Sequence, residues 1–94
     1  MYMRVTRGRI DLARLDEAAS AVSDIIAPVS RLPGFQSYMT GADRTSGNVI
    51  AVSTWDTEEH ARVSNDAVAD VASKLQALGL QLEPFEIFEV TTPT

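Results

Sequence analysis

The stretch that decides the fold is residues 33–55, PGFQSYMTGADRTSGNVIAVSTW. Residues 43–46, DRTS, suit a type I turn, and Gly47 supplies the positive φ that a bulged hairpin loop requires. The stretch therefore predicts two antiparallel strands that are folded back on each other by this short turn.

The turn also predicts the register of the hairpin, because Asp43 should then pair with Asn48. Counting outward from that pair divides the strands into a mostly aliphatic face and a face with aromatic and small polar side chains. The aliphatic face carries Ser37, Met39, Ile50, Val52 and Thr54, and the opposite face carries Gln36, Tyr38, Ala51, Ser53 and Trp55.

Upstream of the hairpin, the sequence predicts one strand and one helix. Residues Tyr2 to Arg9 alternate loosely between the two faces of a strand. From Leu12 to Val29 apolar residues recur every three or four positions, which predicts an amphipathic helix. Asp11 is the candidate N-cap, and Pro28 should kink or end the helix because it lacks an amide donor.

Downstream of Trp55, a second helix and a last strand are predicted. Asp56 or Thr57 caps the helix, Gly79 ends it in a left-handed conformation, and a short break falls at residues 64–66. The segment from Leu80 to Val90 is a strand that Pro84 restricts to an edge or a bulge.

This order of elements predicts an α+β fold, the split ferredoxin-like βαββαβ arrangement with two helices over a four-stranded antiparallel sheet. We expect a single domain over residues 1–94, with residues 91–94 as a frayed tail. Both faces of the sheet carry apolar residues, but two helices on one side cover only one face. A second copy should bury the other face, so the sequence predicts a homodimer with a two-fold interface.

The composition of the 94-residue chain excludes several classes of function. Cysteine is absent and His60 is the only histidine, which excludes thiolate and multi-histidine metal sites. A net charge of −5 argues against nucleic-acid and anionic-membrane surfaces. No apolar run is long enough for a transmembrane helix, so we expect a cytoplasmic protein.

Few residues are candidates for chemistry, and each also has a structural interpretation. Trp55, beside the start of the second helix, either anchors the core or lines a pocket. Tyr38 shares its face and either packs in the core or flanks a flat ligand. His60 is either a solvated residue or a general base. Of the strand arginines, Arg4, Arg7 and Arg9, one could hold an anionic group.

Two stretches carry a resemblance to a known family: residues 25–61, IIAPVSRLPGFQSYMTGADRTSGNVIAVSTWDTEEHA, and residues 83–90, EPFEIFEV. They resemble the antibiotic biosynthesis monooxygenase-like (ABM) proteins of the dimeric α+β barrel group. The shared features are the PGF turn at residues 33–35, the DR and Gly of the hairpin, Trp55 followed by DTEE, and an acidic and aromatic last strand.

The resemblance implies a homodimeric, cofactor-free monooxygenase that acts on a small aromatic or quinone-like compound. It implies His60 and Tyr38 as catalytic residues and Trp55 and Tyr38 as substrate-binding residues, with no metal. The predicted hairpin register adds Gln36 and Ser53, on the same face, as substrate-binding residues. The alternatives are a dimer that binds a metabolite without turnover and an accessory protein that only associates.

Haem degradation, another activity of the group, is disfavoured. That branch requires an asparagine in the first strand and a histidine about ten residues after the tryptophan. This chain has Thr6 and Arg7 in the strand and Asn65 at the tenth position.

Overall fold

The computed structural model describes residues 1–62 and 66–92, and its order of elements follows the predicted βαββαβ pattern. The strands are β1 (Tyr2–Arg9), β2 (Phe35–Ala42), β3 (Asn48–Trp55), β4 (Gln81–Leu82) and β5 (Glu86–Glu89). The α-helices are α1 (Leu15–Ile26), α2 (Glu58–Arg62) and α3 (Asp66–Ala77). Short 3-10 helices flank α1 at Leu12–Arg14 and Ala27–Arg31.

The sheet is antiparallel, with β2 beside β3 and β3 beside β1. Both β4 and β5 pair with β1, so together they fill the fourth position. Pro84 lies between them, so the proline that the sequence predicted to cause an edge position or a bulge interrupts the last strand. The predicted α+β sheet with four strand positions is therefore confirmed.

The hairpin has the predicted turn and register. The amide of Asp43 donates to the carbonyl of Asn48 at 2.8 Å, and Gly47 adopts φ of +81°. Met39 pairs with Val52, and Tyr38 pairs with Ser53. The register shifts between Phe35 and Ser37, which is a β-bulge that the sequence did not predict.

The predicted helix signals are also present. The side chain of Asp11 accepts from the amide of Ala13 and caps the first 3-10 turn. Helix α1 ends at Ile26, two residues before Pro28. Thr57 Oγ1 accepts from the amide of His60, and Gly79 adopts φ of +94°.

Two expectations fall partly on residues that the structure does not describe. The predicted break at residues 64–66 includes 64 and 65, which are not described, and α3 begins at Asp66. The predicted frayed tail includes residues 93 and 94, which are not described either. Within residues 1–62 and 66–92, no helix has both the length and the apolar character to cross a membrane.

The apolar core is divided into two clusters at opposite ends of the space between helices and sheet. One cluster consists of Ile10, Leu15, Ala18 and Leu80. The other consists of Val29, Trp55, Ala61 and Val71. The division leaves room between them, and the candidate site lies there.

Gly47 should be the least replaceable hairpin residue. Its φ is positive, and an added Cβ would press against the carbonyl oxygen of Ile10, whose amide donates to Gly47 at 2.9 Å. We expect Gly47→Ala to lower the free energy of unfolding by about 1–3 kcal/mol in urea titrations. Gly41→Ala is the control, because its Cβ would meet only Ile50 at 3.6 Å. Equal losses in the two variants would contradict this account of the turn.

Candidate functional site

A cavity of about 340 Å³ lies between the inner face of the sheet and helices α1 and α3. Its helical wall is aliphatic, with Leu15, Ala18, Ala19, Val22 and Ile26 from α1 and Val71, Ala72 and Leu75 from α3. Its volume is near the lower end of the ~300–1,000 Å³ range of small-molecule pockets. The space suits one compact and mainly apolar ligand.

The cavity exists because small residues face each other across the layers. Ala18 and Ala19 of α1, Ala51 of β3 and Ala72 of α3 all line it. Larger side chains at these positions would fill the space at the density usual in protein interiors. An unfilled space costs stability, so its presence in a small core favours a role for it.

A row of polar side chains lies on the wall that the sheet forms in this otherwise apolar cavity. In the β-sheet register Tyr38 is opposite Ser53, and Ser53 is opposite Arg4. All three side chains line the cavity. A second row places Thr40 and Thr6 on either side of Ala51, and both threonines also line it. One wall of the cavity can therefore orient a ligand by hydrogen bonds.

Trp55 combines the two roles that the sequence left open. Its side chain is 1% exposed and packs edge-on against Phe35, with ring centroids 5.5 Å apart. It also lines the cavity, and its Nε1 donates to Ser53 Oγ at 2.8 Å. Ser53 is itself 5% exposed. Because a hydroxyl both accepts and donates, Ser53 keeps its own hydrogen for another acceptor.

Arg4 is the charged residue of the polar row. Its Nη1 donates to the carbonyl oxygens of Ala61 at 3.2 Å and Arg62 at 2.7 Å, at the end of α2. The guanidinium also lies 3.8 Å from the centre of the Phe85 ring, a cation–π contact. Burial lowers the pKa of Arg4, and the nearby Tyr38 offsets part of that lowering. Arginine remains charged in proteins, so the row contains a fixed positive charge.

The phenol of Tyr38 is a hydrogen-bond donor at neutral pH. Burial raises its pKa above the ordinary value of 10.0, and the charge of Arg4 offsets part of that rise. A group that stays protonated can donate to a carbonyl or to an oxyanion.

Among the predicted site residues, the structure brings Trp55, Tyr38 and Ser53 together in the cavity lining. It places the other two elsewhere. Gln36 is exposed at the β-bulge, where the shift in register puts Phe35 opposite Trp55 instead. His60 is not among the residues that line the cavity.

His60 lies in the middle of α2, beside the turn that precedes β2. Its Nδ1 is 2.6 Å from Asp56 Oδ1, and its ring lies close against Gly34. This hydrogen bond holds the pKa of Asp56 below the usual value of 3.8. The contact ties the helix to the PGF turn and leaves His60 away from the polar row.

Sequence reasoning missed or underrated several residues of the site. In the sequence, nothing distinguished Arg4 from the other two arginines of the first strand. Thr6 and Thr40 were not predicted to bind a ligand. They lie two residues from Arg4 and Tyr38, respectively, and therefore on the same face of the sheet. That spacing was a usable signal, whereas the bulge that moves Gln36 depends on tertiary packing.

Within the described ranges 1–62 and 66–92, no three His, Asp or Glu side chains are grouped as a metal site requires. Among the described lining residues, the polar side-chain groups are hydroxyls, the indole N–H of Trp55 and one guanidinium, and hydroxyls and guanidinium are suited to bind an organic oxygen.

Solved structures provide the comparison with known proteins. A candidate antibiotic biosynthesis monooxygenase from Deinococcus radiodurans has 14% identity and a TM-score of 0.75, covering 100% of this chain and 96% of its own. SnoaB, a cofactor-independent oxygenase from Streptomyces nogalater, has 16% identity and a TM-score of 0.69, with coverages of 98% and 94%. The ActVA-Orf6 monooxygenase of Streptomyces coelicolor, solved with nanaomycin D, has 18% identity and a TM-score of 0.72, with coverages of 99% and 92%.

These structures confirm the predicted ABM-like fold, over nearly the whole length of each chain. At such identities the likeness concerns the fold. No protein-family model matches the sequence. The comparison with curated proteins also gives no match.

The hydrogen bond between Trp55 and Ser53 should be required for stability. Ser53→Ala leaves the buried indole N–H without its acceptor, so we expect a loss of about 1–3 kcal/mol in the free energy of unfolding. Ser37→Ala is the control, because the Ser37 hydroxyl is exposed and bonds to Thr54 on the outer face. Urea unfolding followed by tryptophan fluorescence measures both. A loss below about 0.5 kcal/mol for Ser53→Ala would contradict the assigned role.

Proposed function

We propose that the chain is a cofactor-free monooxygenase whose cavity binds a small aromatic or quinone-like compound. The observation that carries the proposal is the polar row of Tyr38, Ser53 and Arg4 at one wall of an apolar cavity. An apolar space binds the rings, and a few convergent polar groups orient an oxygen substituent. The fold shared with SnoaB and the ActVA-Orf6 monooxygenase supports this choice over an accessory role.

The proposed reaction needs an electron-rich anion of the substrate. An activated CH₂ group between aromatic rings loses a proton, and the resulting enolate transfers electrons to dioxygen. A carbon–oxygen bond forms to give a hydroperoxide, which loses water and leaves a carbonyl. One oxygen atom enters the product, and the other leaves as water with the two hydrogens of the CH₂ group.

In this reaction the chain binds the substrate, stabilises the anion and excludes water. Trp55 forms the aromatic wall, while Tyr38 and Ser53 donate to the oxygen on which the negative charge develops. His60 has no role in the proposal, since it bonds to Asp56 and does not line the cavity. The substrate must therefore be acidic enough to ionise without a strong protein base.

Binding without turnover is the second candidate function, and one observation favours it. Among the lining residues in the described part of the chain there is no carboxylate and no imidazole, so an ordinary general base is missing there. A protein that senses a metabolite needs only the cavity and the polar row.

Oxygen uptake with 1,8-dihydroxyanthrone tests the proposed reaction. We expect one O₂ consumed per anthraquinone formed, at a rate above that of the buffer. Tyr38→Phe should lower kcat by at least about tenfold, because it removes a hydrogen-bond donor to the substrate anion. Tyr2→Phe is the matched control, since Tyr2 packs against the core cluster of Trp55 and does not line the cavity.

The same experiment separates the two candidate functions. A rise in melting temperature that saturates with this compound, without oxygen uptake, would establish binding without turnover. Uptake at the buffer rate with no change in melting temperature would contradict both.

We also propose a homodimer that forms through the outer face of the sheet. Met39, Val52 and Val5 lie in one row across β2, β3 and β1, with Ile50 and Phe88 on the same face. The exposed fractions are 75% for Met39, 38% for Ile50 and 40% for Phe88, whereas Val5 is already buried in the single chain at 6%. The helices cover the opposite face, so a second copy related by a two-fold axis would bury this patch most economically.

Sedimentation equilibrium at micromolar concentration tests the dimer. We expect a mass twice the 10.2 kDa of one chain. Met39→Asp should shift the protein toward the monomer, because two carboxylates would be buried at the interface. Ser20→Asp on the exposed side of α1 is the control and should remain dimeric. A monomeric wild-type chain would refute the proposed interface.

A further inference from the structure

The charge distribution of the cavity points to the class of ligand. Among the described lining residues Arg4 is the only charged one, and its neighbours in the lining are hydroxyls and aliphatic groups. Arg4 is half-buried, so water solvates its charge less well than at the surface. Placing one cation at an apolar cavity favours a ligand that brings the opposite charge.

The contacts of Arg4 leave its positive charge without a counter-ion among the side chains described in residues 1–62 and 69–92. Its partners are two carbonyl oxygens, which are neutral, and the ring of Phe85. The arginines that form ion pairs within the described side chains are Arg7, Arg14, Arg44 and Arg62.

The geometry also leaves donors for a ligand. Both hydrogen bonds of Arg4 to described residues use Nη1, so within that part of the chain two of the five guanidinium N–H groups are occupied and three, on Nη2 and Nε, have no partner. The hydroxyls of Tyr38 and Ser53 lie in the same row of the sheet. Several donors beside one cation form a set that fits an oxyanion.

We propose that Arg4 makes the cavity selective for aromatic anions: flat rings with an ionised oxygen at one edge, as a carboxylate, phenolate or enolate. The ring lies in the apolar space against Trp55, and the ionised oxygen pairs with Arg4. This inference rests on the proposed function in one respect, because it assumes that the cavity binds a small aromatic molecule. It adds the charge of that molecule and the residue that selects it.

A purely structural role of Arg4 is the competing explanation. The two bonds to the end of α2 hold that helix against the sheet, and their loss alone would destabilise the protein. A structural role predicts weaker binding of every ligand, whereas selection predicts weaker binding of anions alone. Two probes of equal shape and different charge therefore separate the explanations.

Calorimetric titration with 2-naphthoate and 2-naphthamide is the test, because the two have nearly the same size and only the first is an anion at pH 7. We expect the wild-type chain to bind 2-naphthoate at least about tenfold more tightly. Arg4→Met should remove that preference and leave the affinity for 2-naphthamide within about threefold. Arg4→Lys should keep part of the preference, since it keeps the charge.

Arg7→Met is the matched control. Arg7 is on the same strand, but it does not line this cavity and pairs with Glu86. Its replacement should leave the preference for 2-naphthoate unchanged. If Arg4→Met does not fold, Arg4→Gln provides the same comparison, because its amide can still donate to the α2 carbonyls.

The outcomes distinguish this inference from the proposed function. Equal binding of the two probes to the wild-type chain, or a preference that survives in Arg4→Met, would overturn the role of Arg4 and leave the ligand cavity in place. Binding of neither probe would overturn the cavity as a binding site, and the role of Arg4 with it.

Discussion

The hydrogen bond from Trp55 Nε1 to Ser53 Oγ is the interaction on which the site depends. Trp55 is the largest fully buried side chain, and its indole N–H would be costly to bury without an acceptor. Ser53 satisfies it from the same strand, on the same face of the sheet. The bond thus fixes the orientation of the ring that closes one end of the cavity. The Ser53 hydroxyl that accepts this bond also lies in the polar row between Tyr38 and Arg4. One contact therefore contributes both to core stability and to the proposed ligand recognition.

The second constraint is the size of the core, because a chain of 94 residues has little apolar surface to spare. Most small domains fill the space between helices and sheet with large aliphatic side chains. Here alanines on α1, β3 and α3 face the cavity, and the core is divided into two clusters. The centre of the domain is therefore less densely packed, which lowers its stability. A bound ligand would restore contacts there, and its binding would stabilise the folded state by mass action.

The sequence predicted most of the fold because local signals agreed with one another. The DRTS-Gly47 turn predicted the hairpin register, and that register correctly placed Met39 and Tyr38 on opposite faces of the sheet. Pro84 marked an irregular point in the last strand, where the structure has an interruption, and Asp11 and Gly79 marked helix ends. The site was less predictable, since it depends on which elements meet in space. The bulge before Ser37 moves Gln36 to the surface, and the contact of His60 with Asp56 and Gly34 holds it outside the cavity. Arg4 gained its importance only from its distance to α2 and Phe85.

A crystal structure of the chain with 2-naphthoate tests the central claim most directly, which is that the space between the two core clusters is a ligand site with a polar wall. The account predicts density for the rings between α1 and the sheet, against Trp55, with the carboxylate within hydrogen-bond distance of Arg4, Tyr38 or Ser53. A complex with α1 packed onto β3 so that the cavity is closed, or with the probe bound only on the outer face of the sheet, would contradict it.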